Sequence, residues 1–398
     1  MSLSGRFRRV LIIVENLPVP FDRRVWQEAV ALREAGYQVS VICPTGQGHD
    51  SRHEEIDGIQ VYRHPLPVEG KGVMGYLVEY PLALFWQFVL AWRVFLGRGF
   101  DVIHACNPPD DVFLIGMFFK LFGKKFLFDH HDINPELYEV KFGRKDFLHK
   151  ALLFMERMTF RTANVVISTN ESYRRIALER GRKDPESVFV VRSSPDLTKL
   201  KPGPPIDSLR NGRNYLVGYI GVMGAQDGID ILLRIIHNIV HERDRTDIQF
   251  LLIGGGTELE DMIKYAAELN LSEFVNFTGF LRGQKLIETL GSIDIGVCPD
   301  PVDDYNDKCT MNKVMEYMAL GKPLVQFDLT EGRFSAQQAA LYARDNDEKD
   351  FAAKILQLID DPKLREQMGR FGKQRMETEL DWKYEVPKLL DAYKKVFE

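Results

Sequence analysis

Only four cysteines occur in the 398 residues, Cys43, Cys106, Cys298 and Cys309, and no two lie close in sequence. That argues against a disulfide-knit scaffold and a cysteine-based zinc site, and it fits a reducing compartment. Long hydrophobic runs are missing as well. The most apolar stretch, Leu82 to Leu96, follows Glu79 and Pro81 and contains Gln87 and Arg93, so it is too short and broken for a membrane span. The basic start imitates a secretory leader, but only Val10 to Val14 is continuously apolar before Glu15, which reads as a first strand. Positive charge is not in excess. Lys and Arg number 52 against 57 Asp and Glu, a net −5, which disfavours a nucleic-acid partner. What remains is a composition 45% hydrophobic and 27% charged, that of a soluble globular protein large enough for two domains.

Also missing is a G-x-G-x-x-G turn after the first strand, which argues against a dinucleotide-dependent dehydrogenase. Glu15 to Asp22 stands there instead, with Asp22 suited to an N-cap. Arg23 and Arg24 then fall in the first helical turn, where a cation opposes the helix dipole. They read equally as an anion-binding pair and as an exposed pair.

Strands and helices alternate in two series. Predicted strands in the first are 9–14, 38–43, 59–63, 101–105, 125–129 and 164–169, with a long apolar helix at 76–96. Pro and Gly punctuate residues 193–213 like a linker. The second series predicts strands at 215–221, 249–253, 275–278, 293–297 and 323–326, and a last amphipathic helix from Asp381 to Phe397 that could fold back on the first domain. The boundaries are 1–195, linker 196–213, 214–378 and a returning segment 379–398. Residues 1–200 carry 27 basic against 24 acidic groups; the remainder carries 25 against 33. Two stretches of the basic half, 118–125 and 141–161, mix cations with apolar residues. They read either as a contact with an anionic membrane or, with more weight, as amphipathic helices whose apolar sides are core.

Ligands of open α/β sheets sit beyond the strands' C-terminal ends, so residues just after strands are the candidates. Phe128-Asp129-His130-His131-Asp132 suits proton or hydrogen-bond work, while adjacent residues on an extended chain make poor joint metal ligands. Asn107 to Asp111 is a similar loop, equally readable as turn chemistry. In the second half, the Gly221–Gly228 loop, with Gly224, and the turn at Gly254 could cradle a phosphate on backbone N–H groups. The most informative stretch is 300–323. A polar loop leads to a helix from about Thr310 through Met311, Asn312 and Lys313 to Gly321. Its N-terminus can receive a phosphate, and Glu316, between apolar neighbours, can accept both hydroxyls of a ribose.

Together DVIHACNPPD at 101–110, HHD at 130–132, LLIGGG at 251–256, VNFTGFL at 275–281 and EYMALGKP at 316–323 resemble family 4 of the nucleotide-sugar glycosyltransferases. The resemblance spans nearly the whole chain. It implies the GT-B fold, an α/β arrangement of two Rossmann-like domains facing across a cleft, with the C-terminal helix returning to the N-terminal domain. It implies a nucleotide-sugar donor held mainly by the C-terminal domain, an acceptor held mainly by the N-terminal domain, and retention of configuration with no metal or other cofactor. On that resemblance Glu316 grips the ribose, the backbone at Thr310, Met311 and Asn312 lies over the diphosphate and sugar, His131 approaches the donor sugar, and Phe280 and Leu281 border the base. Asp307 and Lys308 join His131 as candidate catalytic groups.

Departures accompany the resemblance. Lys308 stands where the family's first motif glutamate is expected, and Val222 and Asp227 stand at its usual basic positions. The charge a leaving diphosphate needs then has Lys308, Lys313, Arg333, Arg23 and Arg24 as substitutes. The expected reaction is glycosyl transfer to a glycan or lipid-linked acceptor in bacterial surface polysaccharide synthesis, in the cytoplasm or at the inner membrane face. The alternatives are a sugar-nucleotide epimerase of the same fold and a non-catalytic partner.

Overall fold

A computed structural model describes residues 8–65 and 73–398; the basic start at 1–7 lies outside the described residues. The chain divides into two compact units, Met1–Ser193 with Glu385–Glu398, and Ser194–Tyr384.

The first unit is built on strands β1 (Arg9–Ile13), β2 (Gln38–Pro44), β3 (His53–Ile56), β4 (Ile59–His64), β5 (Val102–Cys106), β6 (Lys125–His130), β7 (Val165–Ser168) and β8 (Val188–Val190). They lie in the order β3-β4-β2-β1-β5-β6-β7-β8. Pairing is parallel throughout except between β3 and β4. The central strand β1 is buried from Val10 to Ile13 because helices cover both faces, hence its unbroken apolar run. Its helices are α1 (Arg23–Glu34), α2 (Val73–Leu96), α3 (Phe113–Lys120), α4 (Asn134–Phe142), α5 (Phe147–Thr162) and α6 (Glu171–Glu179). Asp22 caps α1 by accepting the Val25 N–H at 3.0 Å. Val25, Ala29 and Leu32, at helical spacing, then turn inward.

The second unit carries β9 (Tyr215–Ile220), β10 (Ile248–Ile253), β11 (Val275–Gly279), β12 (Ile295–Cys298), β13 (Leu324–Phe327) and β14 (Ala340–Ala343), all parallel, in the order β11-β10-β9-β12-β13-β14. Its helices are α7 (Ile229–His237), α8 (Leu259–Glu268), α9 (Gly283–Ser292), α10 (Asn312–Ala319), α11 (Thr330–Ala336), α12 (Glu348–Asp360) and α13 (Pro362–Arg375). Residues 196–213, expected as a linker, are packed on this unit. Arg210 holds both carboxylate oxygens of Asp294 at 2.6 and 3.0 Å, and the Ile206 N–H reaches Ser292 Oγ at 2.8 Å.

The last helix, α14 (Trp382–Val396), returns most of its length to the first unit. Glu385 Oε2 accepts the Arg192 N–H at 2.9 Å. Tyr393 is fully buried, and its hydroxyl lies 2.8 Å from His104 Nδ1. Removing that hydroxyl leaves a buried imidazole nitrogen unpaired. Tyr393→Phe is therefore expected to cost about 1–3 kcal/mol in urea unfolding; a loss within error would show that the bond contributes nothing.

Candidate functional site

At the C-terminal edge of the first sheet, the loops after β5 and β6 are tied through one side chain. Asn107 Oδ1 accepts the backbone N–H groups of His131 (2.7 Å) and Asp132 (3.2 Å), and its Nδ2 donates to Asp110 Oδ1 (3.0 Å) and the Asp132 carbonyl (2.7 Å). Asn134 donates to the other Asp110 oxygen at 2.6 Å. The Asn107 loop is thus the brace of the His131 loop.

Arg24 is not an exposed cation. Only 8% of it reaches solvent, and its guanidinium is engaged on every side. Nη2 meets Asp129 Oδ1 at 2.7 Å and Glu28 Oε1 at 3.1 Å, Nε reaches Asp129 Oδ2 (3.1 Å) and His131 Nε2 (2.9 Å), and Nη1 donates to the Val191 carbonyl (2.9 Å) and Ser193 Oγ (3.1 Å). The expected anion site at Arg24 is instead an internal ion pair; Arg23, its neighbour, is exposed. Burial would raise the Asp129 carboxyl, but Arg24 and then His131 outweigh it and hold it well below the ordinary range. Burial likewise pushes Glu28 well up, against the pull of Arg24. Arg24 therefore favours the charged form of Asp129, while at Glu28 burial outweighs the same cation and opposes ionisation. His104, buried and lowered by that burial, lies 3.4 Å from both carboxylates.

His131 is the residue this network presents. Its Nε2 is turned inward to Asp129 and Arg24, with 15% of the side chain exposed. His130 has a different role: burial, with Arg180 adding, lowers it to about 3, and its ring packs between Phe160 and Tyr173 as a core aromatic. Among the described residues, His104, Cys106 and Asp129 could bring donor atoms within 4.8 Å of one another around an ion. Arg24 already supplies a cation at Asp129, and Tyr393 lies at His104 Nδ1.

Beside this edge lie three more carboxyl groups: Asp110 and Asp111, in the loop equally readable as turn chemistry, and Glu15, which the sequence did not single out. Burial, then Glu79 and Asp111, raises Glu15 to about 7, and its Oε1 has no hydrogen-bond partner among the described residues. Burial raises Asp110 and Asp111 to about 7 as well. Such groups can both donate to and accept from hydroxyls at neutral pH. Position directly after β1 and β5 was the available signal.

In the second unit the glycine turns serve close packing. A Cβ at Gly254 would lie 1.9 Å from the Gly221 carbonyl oxygen, and one at Gly256 would lie 2.4 Å from that of Met223. The N–H groups of Gly221, Met223 and Gly254 reach the carbonyls of Ile253, Gly255 and Gly279 at 3.0 Å, and that of Gly224 meets Asp227 Oδ2 at 2.9 Å. The expected phosphate cradle at Gly221, Gly224 and Gly254 is thus filled by the unit's own acceptors. Phe280 is exposed and leans on Gly255, where a Cβ would come within 2.7 Å of its ring, and Leu281 beside it is half-buried.

Helix α10 starts at Asn312, with Met311 as an N-cap whose side chain makes no capping bond. Thr310 immediately precedes it. Lys313, buried in its first turn, places its ammonium 2.8 and 2.9 Å from the Asp300 oxygens and 4.9 Å from the centre of the Tyr219 ring. Burial would lower it, yet Asp300 raises it well above the ordinary lysine value, so it stays charged. Glu316 follows one turn on, 5% exposed. Lys308 pairs with Asp304 at 2.6 Å, and Arg333 reaches both oxygens of Asp328 while lying 3.9 Å from the Tyr342 ring centre. Asp307, expected to be catalytic, caps α11: its oxygens take the Thr330 N–H (2.8 Å) and hydroxyl (3.0 Å). Four of the five cations expected to meet a diphosphate, Arg24, Lys308, Lys313 and Arg333, therefore face aspartates of their own unit.

Two parallel α/β units with a C-terminal helix returning to the first define the GT-B class, and solved structures agree. Sucrose-phosphate synthase from Thermosynechococcus elongatus superposes with a TM-score of 0.76 over 98% of this chain and 99% of that one, at 18% identity. Anabaena Alr3699/HepE in complex with UDP and glucose gives 0.72 over 97% and 99%, at 12% identity. The family model for a glycosyl transferase 4-like domain matches residues 22–192, and that for glycosyl transferases group 1 matches 214–361. The chain belongs to the family 4-like glycosyltransferases. A D-inositol 3-phosphate glycosyltransferase from Thermomonospora curvata is 25% identical over 260 residues, 60% of this chain and 58% of the relative. A GDP-mannose-dependent alpha-mannosyltransferase from Corynebacterium glutamicum is 27% identical over 143 residues, 35% of this chain and 30% of the relative. The chain spans about half the length, 46% to 58%, of the curated D-inositol 3-phosphate glycosyltransferases it matches from Thermomonospora curvata, Corynebacterium jeikeium and Corynebacterium kroppenstedtii.

Two outcomes test the electrostatics. Arg24→Met strands a buried carboxylate and is expected to cost about 3–5 kcal/mol in urea unfolding; a cost below about 1 kcal/mol would contradict the ion-pair role. Because Glu15 takes up its proton at about 7 in the fold against an ordinary 4.5, the stability it contributes is complete below pH 4.5 and lost as pH rises through 7. Glu15→Gln should thus shrink the fall in melting temperature between about pH 5 and pH 8. An unchanged fall would mean that Glu15 ionises as it does in water.

Proposed function

We propose that the protein transfers a sugar from a nucleoside diphosphate sugar to a hydroxyl of a glycan or lipid-linked acceptor, with retention at the anomeric carbon and without a metal, in the synthesis of a bacterial surface polysaccharide. The observation that carries the reading is the start of α10, where an N-terminus without a side-chain cap precedes the buried Glu316 by one turn. The first N–H groups of a helix and its dipole attract an anion. The backbone from Thr310 to Lys313 would hold the diphosphate, Glu316 two ribose hydroxyls, and Phe280 a face of the base. Two relatives support the reading, one a D-inositol 3-phosphate glycosyltransferase and one a GDP-mannose-dependent alpha-mannosyltransferase.

The sugar's anomeric carbon passes through an oxocarbenium-like state as its bond to the diphosphate breaks. The acceptor oxygen attacks from the departing side, and the leaving oxygen takes the acceptor's proton. The protein's work is then positioning and charge stabilisation. With Lys313 bound to Asp300, the helix terminus meets the developing charge on the diphosphate. With His131 Nε2 turned to Asp129, Nδ1 is the nitrogen left to contact a sugar hydroxyl. Glu15 and Asp111 would contact hydroxyls of the acceptor.

Calorimetric titration with UDP, GDP, ADP and dTDP should find at least one that binds. Glu316→Ala should weaken it about tenfold or more, ~1.4 kcal/mol, while Lys308→Gln changes it little. Binding of none of the four would overturn the donor assignment. With the matching sugar nucleotide, nucleoside diphosphate should be released only when acceptor is present, and that release should persist in EDTA. Interconversion of the sugar without acceptor would point to an epimerase.

A further inference from the structure

The first unit carries a solvent-facing apolar surface that its own core does not use. On α2, Leu82, Phe85, Val89 and Leu96 are exposed at helical spacing, with Leu96 at 76%. On α3 and the turn after it, Leu114, Met117, Leu121 and Phe122 are exposed at i, i+3, i+7 and i+8, with Leu121 at 80%. The order expected for amphipathic helices is reversed on α3, whose outward side is apolar. The two helices meet in an aromatic seam, Phe88 to Phe118 at 5.0 Å and Trp92 to Phe118 and Phe122 at 5.6 and 5.7 Å between ring centres. Helix α5 packs on α3. Its exposed stripe reads Phe147, Lys150, Phe154, Arg157, Arg161, aromatic and cationic side chains on one face.

Charge identifies the occupant. Segments 80–98, 113–125 and 147–162 contain eight Lys and Arg and a single carboxylate, Glu156, which is fully buried. Arg93, Arg98, Lys150, Arg157 and Arg161 are exposed. Glu55 and Asp101 of neighbouring elements lie 4.0 Å from Arg98 and 3.9 Å from Lys124, yet cations remain in excess, and large apolar side chains amid an excess of cations match the boundary between acyl chains and anionic headgroups. A two-fold dimer on this face would instead set like charges against one another. Among the described residues no helix is long and apolar enough to cross a membrane, so the contact is with its surface.

We propose that the α2–α3 face, with the α5 stripe beside it, docks the protein on an anionic lipid bilayer. The inference does not depend on the proposed reaction. The full chain is sedimented with vesicles of phosphatidylcholine alone and of phosphatidylcholine mixed with phosphatidylglycerol. It should pellet with the anionic vesicles and stay in solution with the neutral ones. The variants Leu96→Ser/Leu121→Ser and Arg157→Glu/Arg161→Glu, all at exposed positions, should each weaken vesicle binding by about fivefold or more while leaving circular dichroism unchanged. Absence of binding to anionic vesicles, equal binding to both kinds, or variants that bind like the parent would overturn the proposal. So would light scattering that shows a dimer which the serine variant dissociates.

Discussion

The pairing of Arg24 with Asp129 is the contact on which the first unit's functional edge depends. One guanidinium joins the first turn of α1 to the end of β6, the carbonyl of Val191 and the hydroxyl of Ser193. A cation in a first helical turn works against the helix dipole, and the buried Asp129 and Glu28 offset that cost. The same carboxylate turns His131, so helix placement, buried charge and histidine orientation are one problem with one solution. Tyr393, from the far end of the chain, completes it by closing on His104.

The second unit uses the same device. Lys313, in the first turn of α10, closes on Asp300 just beyond β12, and Glu316 sits one turn further in. Charge that would otherwise stand ready for a phosphate is neutralised inside the unit, and Asp227 already fills the Gly224 turn. An excess of acidic groups in this half is then less puzzling. On the proposed reading, electrostatic attraction for an anion here comes from oriented backbone N–H groups, which burial strengthens and which carry no counter-ion.

Much of this was legible in the sequence, and the failures have physical reasons. The central strands announced themselves as apolar runs because both faces are covered. The edge strands β3, β8 and β14 did not: β3 is His-Glu-Glu-Ile and half in solvent, and β8 is three residues long. Asp22 was readable as a cap because a cap acts over three residues. Arg24 was not readable as an ion-pair partner because Asp129 lies 105 residues away, and local pattern carries no such information. Asp307 looked catalytic by its neighbourhood until the fold brought Thr330 to it. Glu316 stood out because a glutamate between apolar neighbours on a short helix must be buried, and it is.

On the proposed reading, a nucleoside diphosphate is held by the N-terminus of α10 and not by the glycine turns or by relocated cations. Backbone amide chemical shifts recorded while the tightest-binding nucleoside diphosphate is added test this most directly. The amides of Met311, Asn312 and Lys313 should move most, while those of Gly221, Met223, Gly224 and Gly254, already bonded internally, should move little. Dominant shifts at the glycine turns, with α10 unmoved, would contradict it.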